Sequence, residues 1–182
     1  MSHWWSCCSE APEYDCDDSI EDRALCVAGD PPDEVQFTLS GLSDWGGNCD
    51  AVCRDYNDTY VLTWAEGATE WPDEDPQTTC QWKFCGDKIA CAGGGEWRWF
   101  STRFRIYRHP GLDNKCWPAL WIWFGAAYCW EPIYATPWLY HGTAYHSDDA
   151  VSSWELNLFS GPGFVDRLCQ NMPASITVSV AV

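Results

Sequence analysis

Two aromatic runs facing each other across one turn constrain this chain more than any other feature. The stretch 97–130 opens WRWFSTRFRIYRHPG, turns through LDNK, and returns as CWPALWIWFGAAYCW. Apolar runs separated by about eight polar or turn residues read as a long β-hairpin. Side chains alternate across a strand, so Trp97 and Trp99 share one face and Phe100, Phe104 and Ile106 share the other. The return run is apolar at odd and even positions alike, the pattern of a strand covered on both sides. The flanking segments are expected to supply that cover.

Those segments read as further strands. EVQFTLSGL sets Val35, Phe37 and Leu39 against Gln36, Thr38 and Ser40, and TYVLTW sets Tyr60, Leu62 and Trp64 against Val61 and Thr63. TTCQWKFC places Cys80, Trp82 and Phe84 on one face. Past a break at 131–137, WLYHGTAYH reads as a short strand, and SSWELNLFS aligns Trp154, Leu156 and Leu158. ASITVSVAV alternates Ile176, Val178 and Val180 with Thr177 and Ser179. Turns fall at SDWGGN, at the acidic loop WPDEDP, at the glycine-rich CAGGGEW and at GPGF. About eight strands without a convincing amphipathic helix predict an all-β fold, an antiparallel two-sheet β-sandwich over 34–182. Ahead of it, 1–33 lacks apolar periodicity and reads as an irregular, acidic, Cys-rich arm closed by Pro31 and Pro32, with Trp4 and Trp5 placed to dock on something.

Charge narrows the partners. Ten Lys and Arg stand against 27 Asp and Glu, a net charge of −17. Binding to nucleic acid draws on basic side chains that displace counterions from phosphates, so nucleic acid is not an expected partner. An anionic membrane surface would repel the chain as well. No apolar run reaches the ~18 residues of a membrane span, and Pro118 interrupts the longest, 116–130. The excess acid is expected to keep an aromatic-rich protein in solution.

Twelve cysteines, Cys7, Cys8, Cys16, Cys26, Cys49, Cys53, Cys80, Cys85, Cys91, Cys116, Cys129 and Cys169, are spread along a Gly- and Pro-punctuated chain. That distribution predicts disulfides and an oxidising location, extracellular or on a virion surface. A zinc site would need C-x2-C pairs, whereas Cys49 and Cys53 enclose three residues and Cys80 and Cys85 enclose four. The opening MSHWWSCCSEAPEYDCDD has neither a basic n-region nor an apolar h-region and is not read as a secretory signal. The oxidising location is then reached after removal of a leader or by another route, such as release of assembled particles.

The sequence carries no catalytic signature. None of the four histidines, His3, His109, His141 and His146, accompanies a nucleophile-elbow pattern. His141 and His146 read as polar positions near strand ends. CAGGGEW lacks the Lys-Ser/Thr ending of a phosphate-binding loop. Asp73, Glu74, Asp75, Asp148 and Asp149 lie in loop-like sequence, where burial would not raise a carboxyl pKa for acid–base work. Asp55, Asn57 and Asp58 offer oxygens to calcium without EF-hand spacing. Asn57-Asp58-Thr59 is a glycosylation sequon. The expectation is a protein that is not an enzyme, with no catalytic residue, no metal and no cofactor.

The tryptophans are the functional candidates. Of 14, Trp97, Trp99, Trp117, Trp121 and Trp123 crowd one hairpin, more than one buried face should hide. Exposed indoles anchor protein interfaces or stack on sugars. Together with Trp4 and Trp5 they are the expected contact residues.

A run of short motifs also carries a resemblance. A strand ending Gly41-Leu42 leads to the Cys49/Cys53 pair, then Asn57-Asp58-Thr59-Tyr60-Val61-Leu62-Thr63, then Cys80-x-Trp82, and finally Cys169 before the alternating C-terminal strand. In this order 34–182 resembles uncharacterised Cys-containing β-sandwich proteins of tailed phages and aquatic bacteria. The resemblance implies a virion or surface structural module and transfers no activity. The leading expectation is a structural subunit acting by self-association, or with other structural subunits. The alternative is a monomeric, Trp-rich carbohydrate-binding module.

Overall fold

The computed structural model describes residues 32–44, 55–64, 79–85, 89–90, 96–108, 115–128, 131–133, 138–146, 149–161 and 169–182. The expected arm lies outside the described residues, apart from Pro32 and Asp33. Twelve strands appear in chain order: β1 (Glu34–Thr38), β2 (Ser43–Asp44), β3 (Thr59–Trp64), β4 (Thr79–Cys85), β5 (Ile89–Ala90), β6 (Glu96–Arg108), β7 (Cys116–Tyr128), β8 (Glu131–Ile133), β9 (Trp138–Gly142), β10 (Ser153–Ser160), β11 (Cys169–Gln170) and β12 (Ser175–Val180).

The long hairpin is present, and it is longer than any other pairing. All thirteen residues of β6 pair with β7, from Glu96↔Tyr128 to Arg108↔Cys116. Around it the chain is a meander. β1, β3, β4, β6, β7, β9 and β10 each pair antiparallel with the next long strand, ending at β12. β12 then pairs back to β1 through Val35↔Val180 and Phe37↔Val178. The sheet therefore returns on itself as a nearly closed barrel. β5 and β8 extend the hairpin at its far end, beside Trp97 and Arg98 and beside 126–128. β2 and β11 form a separate small sheet.

The all-β expectation is met, but the division into two packed sheets is not confirmed. β6 bonds to β4 on one side and to β7 on the other, and β7 continues to β9, so the hairpin joins what would have been two sheets. β12 pairs with β1 along one edge and β10 along the other, which leaves neither edge open. Among the described residues no helix is long and apolar enough to cross a membrane.

An eight-stranded barrel encloses a space that side chains can fill, and here aromatic rings fill it. Toward one end Tyr60 packs on Phe37, Phe84 and Phe100, with ring centroids 4.5 to 5.5 Å apart, and Phe100 packs on Phe124 and Tyr56. Toward the other, Trp82 sits between Trp64 and Phe104, and Phe104 reaches Trp154 across the interior. Val35, Leu62, Ile106, Leu120, Ile122, Leu156 and Val178 complete the buried cluster. β7 is buried on both faces as its sequence implied, with Leu120 and Ile122 inward and Ala119 and Trp123 outward.

The packing is tight where β9 passes β7 and β10. A Cβ at Gly142 would come 2.5 Å from Pro118 Cγ and 2.7 Å from Leu156 Cδ2. Gly142→Ala is expected to cost about 1–3 kcal/mol through overpacking, read as a lower urea midpoint. A midpoint equal to that of the native chain would mean that β9 has room to shift.

Candidate interaction surface

Alternation along β7 places Trp117, Trp121 and Trp123 on the outer face, opposite the inward Leu120, Ile122 and Phe124. Trp123 is buried, whereas Trp117 and Trp121 are half-buried. The paired strand β6 presents Arg103 and Arg105 to the same outer face. Arg103 lies over the Trp123 ring at 5.5 Å from its centroid, and Arg105 over Trp121 at 5.3 Å. The guanidiniums and indoles thus interleave diagonally, an arrangement that the attraction of a cation for a ring face favours.

The outer face continues without a break onto β9 and β10. Trp121 is paired with Leu139, and Ala119 with His141. His141 is in turn stacked on Phe159, centroids 4.7 Å apart and planes 20° from parallel. Phe159 owes its position to a bulge. Tyr140 pairs with Leu158 and Leu139 with Ser160, so Phe159 is the extra residue in β10. It is 69% exposed, far more than any other described aromatic on this face. Trp121, Leu139, His141 and Phe159 follow one another across the outer face of three strands.

The other expected contact residues are placed differently. Trp97 and Trp99 pair through their backbones with Ala127 and Gly125, and their side chains lie outside the described residues. So do Trp4 and Trp5. Arg103, Arg105 and Phe159 were not among the expected contact residues. The R-x-R alternation inside an apolar strand was the available signal for the arginines, whereas a bulge leaves no comparable trace.

The cysteines divide likewise. Cys7, Cys8, Cys16, Cys26, Cys49, Cys53, Cys91 and Cys129 lie outside the described residues, and Cys80 and Cys85 are described only through the backbone of β4. Cys169 is disulfide-bonded. Cys116 is a buried thiol, where a disulfide was expected. It sits in a tight backbone bridge to Tyr145, with N–O distances of 2.8 and 3.0 Å in the two directions. Of twelve cysteines a thiol at Cys116 leaves eleven, an odd number, so one chain can hold no more than five disulfides. The non-reduced, denatured monomer is expected to weigh less than the reduced one by at most five hydrogen pairs. A deficit of six pairs would contradict the Cys116 thiol.

The side chains of Asn57 and Asp58 hold the turn before β3. The Asn57 Oδ1 accepts from the Leu42 amide at 2.8 Å, its Nδ2 donates to the Leu42 carbonyl at 3.1 Å, and the Asp58 carboxylate accepts from Thr59 N at 2.7 Å. The His146 amide donates to the Asp149 carboxylate at 3.2 Å in a turn after β9. Among the described residues no group of three or more His, Cys, Asp or Glu is placed to hold a metal ion.

Burial lowers the pKa of His141 from its usual 6.5. The unfolded chain then takes up that proton more readily than the folded one. The stability His141 contributes is present above about pH 6.5 and is lost as the pH falls through the lower folded value. Melting temperature is expected to drop between about pH 7 and pH 5, with a shallower drop in His141→Gln. An equal slope in the variant would show that His141 does not set this pH dependence.

No known protein family, curated protein or solved structure matches this chain.

Proposed function

We propose that this protein is a non-enzymatic structural subunit of a virion or another extracellular assembly, acting by self-association. The observation that carries the reading is the outer strip of Trp121, Leu139, His141 and Phe159, with Phe159 at 69% exposure. A large aromatic held out on a bulge, beside further apolar side chains on a regular sheet, is the composition of an interface centre. A barrel filled with its own side chains directs binding to the outside. The disulfide at Cys169 fits an oxidising location, and the charge of −17 opposes indiscriminate clumping.

The alternative, a Trp-rich carbohydrate-binding module, needs indole faces open to a sugar ring. Arg103 and Arg105 each occupy one face of Trp123 and Trp121, which favours the assembly reading. Sedimentation velocity over a concentration series up to about 100 µM separates the two. Self-association predicts a rising sedimentation coefficient, higher in added salt because screening relieves repulsion between like-charged copies. A monomer throughout, with tryptophan fluorescence that shifts on adding a soluble glycan, would overturn the assembly reading.

A further inference from the structure

His141 is the titratable group of the outer strip. Its ring is half-buried and stacked on Phe159, which is 69% exposed, with 4.7 Å between centroids. A partner that covers Phe159 therefore covers the imidazole stacked on it as well. The groups around His141 place little negative charge against it. On β7 it pairs with Ala119, between the outward Trp117 and Trp121, while the half-buried Lys115 precedes the strand. One strand further, Arg103, Arg105 and Tyr107 lie on the same face of β6, and Arg105 pairs with Ala119, about 10 Å from His141 at the usual strand spacing. On β10 it pairs with Asn157, and among the described residues the one carboxylate on that outward face is Glu155, exposed and two residues along. Beside it on β9, Tyr140 points inward and donates to the Pro173 carbonyl. His146 and Asp149 are exposed in the turn that follows.

We propose that self-association through this strip is proton-linked: the neutral imidazole of His141 admits a second copy of the chain, and protonation there releases it. The inference rests on the self-association reading and adds its regulation. Covering the strip takes water from His141, and an imidazolium loses more by that than a neutral ring does. Attraction of the imidazolium for the Phe159 ring exists in the separate chain too, so it cancels in the comparison. Arg105 opposes protonation, and the solvated Glu155 is screened. Burial already holds the His141 pKa below 6.5 in the separate chain. Further burial in the assembly lowers it again, and by linkage a proton that the assembly disfavours loosens the assembly.

Sedimentation velocity of the full chain at about pH 7.5 and about pH 5 brackets the ordinary imidazole range and tests the link. The dissociation constant of the native chain should rise roughly tenfold on acidification. That of His141→Gln, which keeps the other three histidines, should change by less than about twofold. Native multimers equally tight at both pH values, or a variant that weakens as much as the native chain, would overturn the proton link and leave self-association standing. A native monomer at both pH values would overturn both. A second measurement needs no variant. Calorimetric dilution of the native chain near pH 6, in two buffers of different ionisation enthalpy, counts protons exchanged on dissociation. Net uptake is expected, and equal heats in the two buffers would overturn the link.

Discussion

Trp82→Ala should remove about 3–5 kcal/mol of stability, the usual cost of emptying a buried aromatic site, out of a total of about 5–15 kcal/mol for a domain. Trp82 is fully buried and touches Trp64 and Phe104 at centroid distances of 5.1 and 5.5 Å. Its indole N–H also donates to the Pro32 carbonyl, so truncation both opens a cavity and breaks the tie that holds the chain entering β1. Trp82→Phe isolates the second loss, at about 1–3 kcal/mol for the abandoned hydrogen bond and the smaller ring. Trp154 supplies the contrast. It is 4% exposed and packs on Phe104 at 5.1 Å, yet its Nε1 is buried with no hydrogen-bond partner among the described residues. Replacing it by Phe removes an unmet donor together with some apolar area, and the two effects should nearly cancel, within about 1 kcal/mol. Urea denaturation should therefore rank Trp82→Ala as most costly, Trp82→Phe next and Trp154→Phe last. Equal costs for the two Phe variants would show that the Pro32 bond contributes nothing beyond packing.

Phe159→Ser should weaken self-association by at least about 2 kcal/mol, roughly thirtyfold in dissociation constant, while leaving the melting temperature nearly unchanged. The separation follows from geometry. Phe159 is an extra residue on a bulge, largely solvent-exposed, and its one described contact is the stack on His141. Its removal costs the fold little, but an interface centred on it loses its anchor. Light scattering behind size exclusion reads the difference. Wild-type-like assembly in Phe159→Ser would move the interface elsewhere on the barrel.

Strand positions were legible because alternation is a local property. Val35 and Phe37, Leu62, Trp82, Phe104 and Ile106, Leu156, and Ile176 and Val178 all face the interior as their spacing implied. The way those strands close on one another was not legible. Alternation says which side of a strand is buried without saying whether that side faces a second sheet or the far wall of a barrel; the pairings of β6 with both β4 and β7, and of β12 with β1, decide it. The crowding of tryptophans on the hairpin did point to an outer aromatic face, and Trp117, Trp121 and Trp123 lie on it. What makes that face particular is the diagonal Arg–Trp stacking and the bulge at Phe159. Both depend on register between strands far apart in sequence, such as Arg105 with Trp121 and His141 with Phe159.

Native mass spectrometry of the purified, unmodified chain addresses self-association most directly. Discrete or open-ended multimers are expected to persist as the protein is diluted through the micromolar range. A spectrum holding only the monomer at every concentration would contradict it.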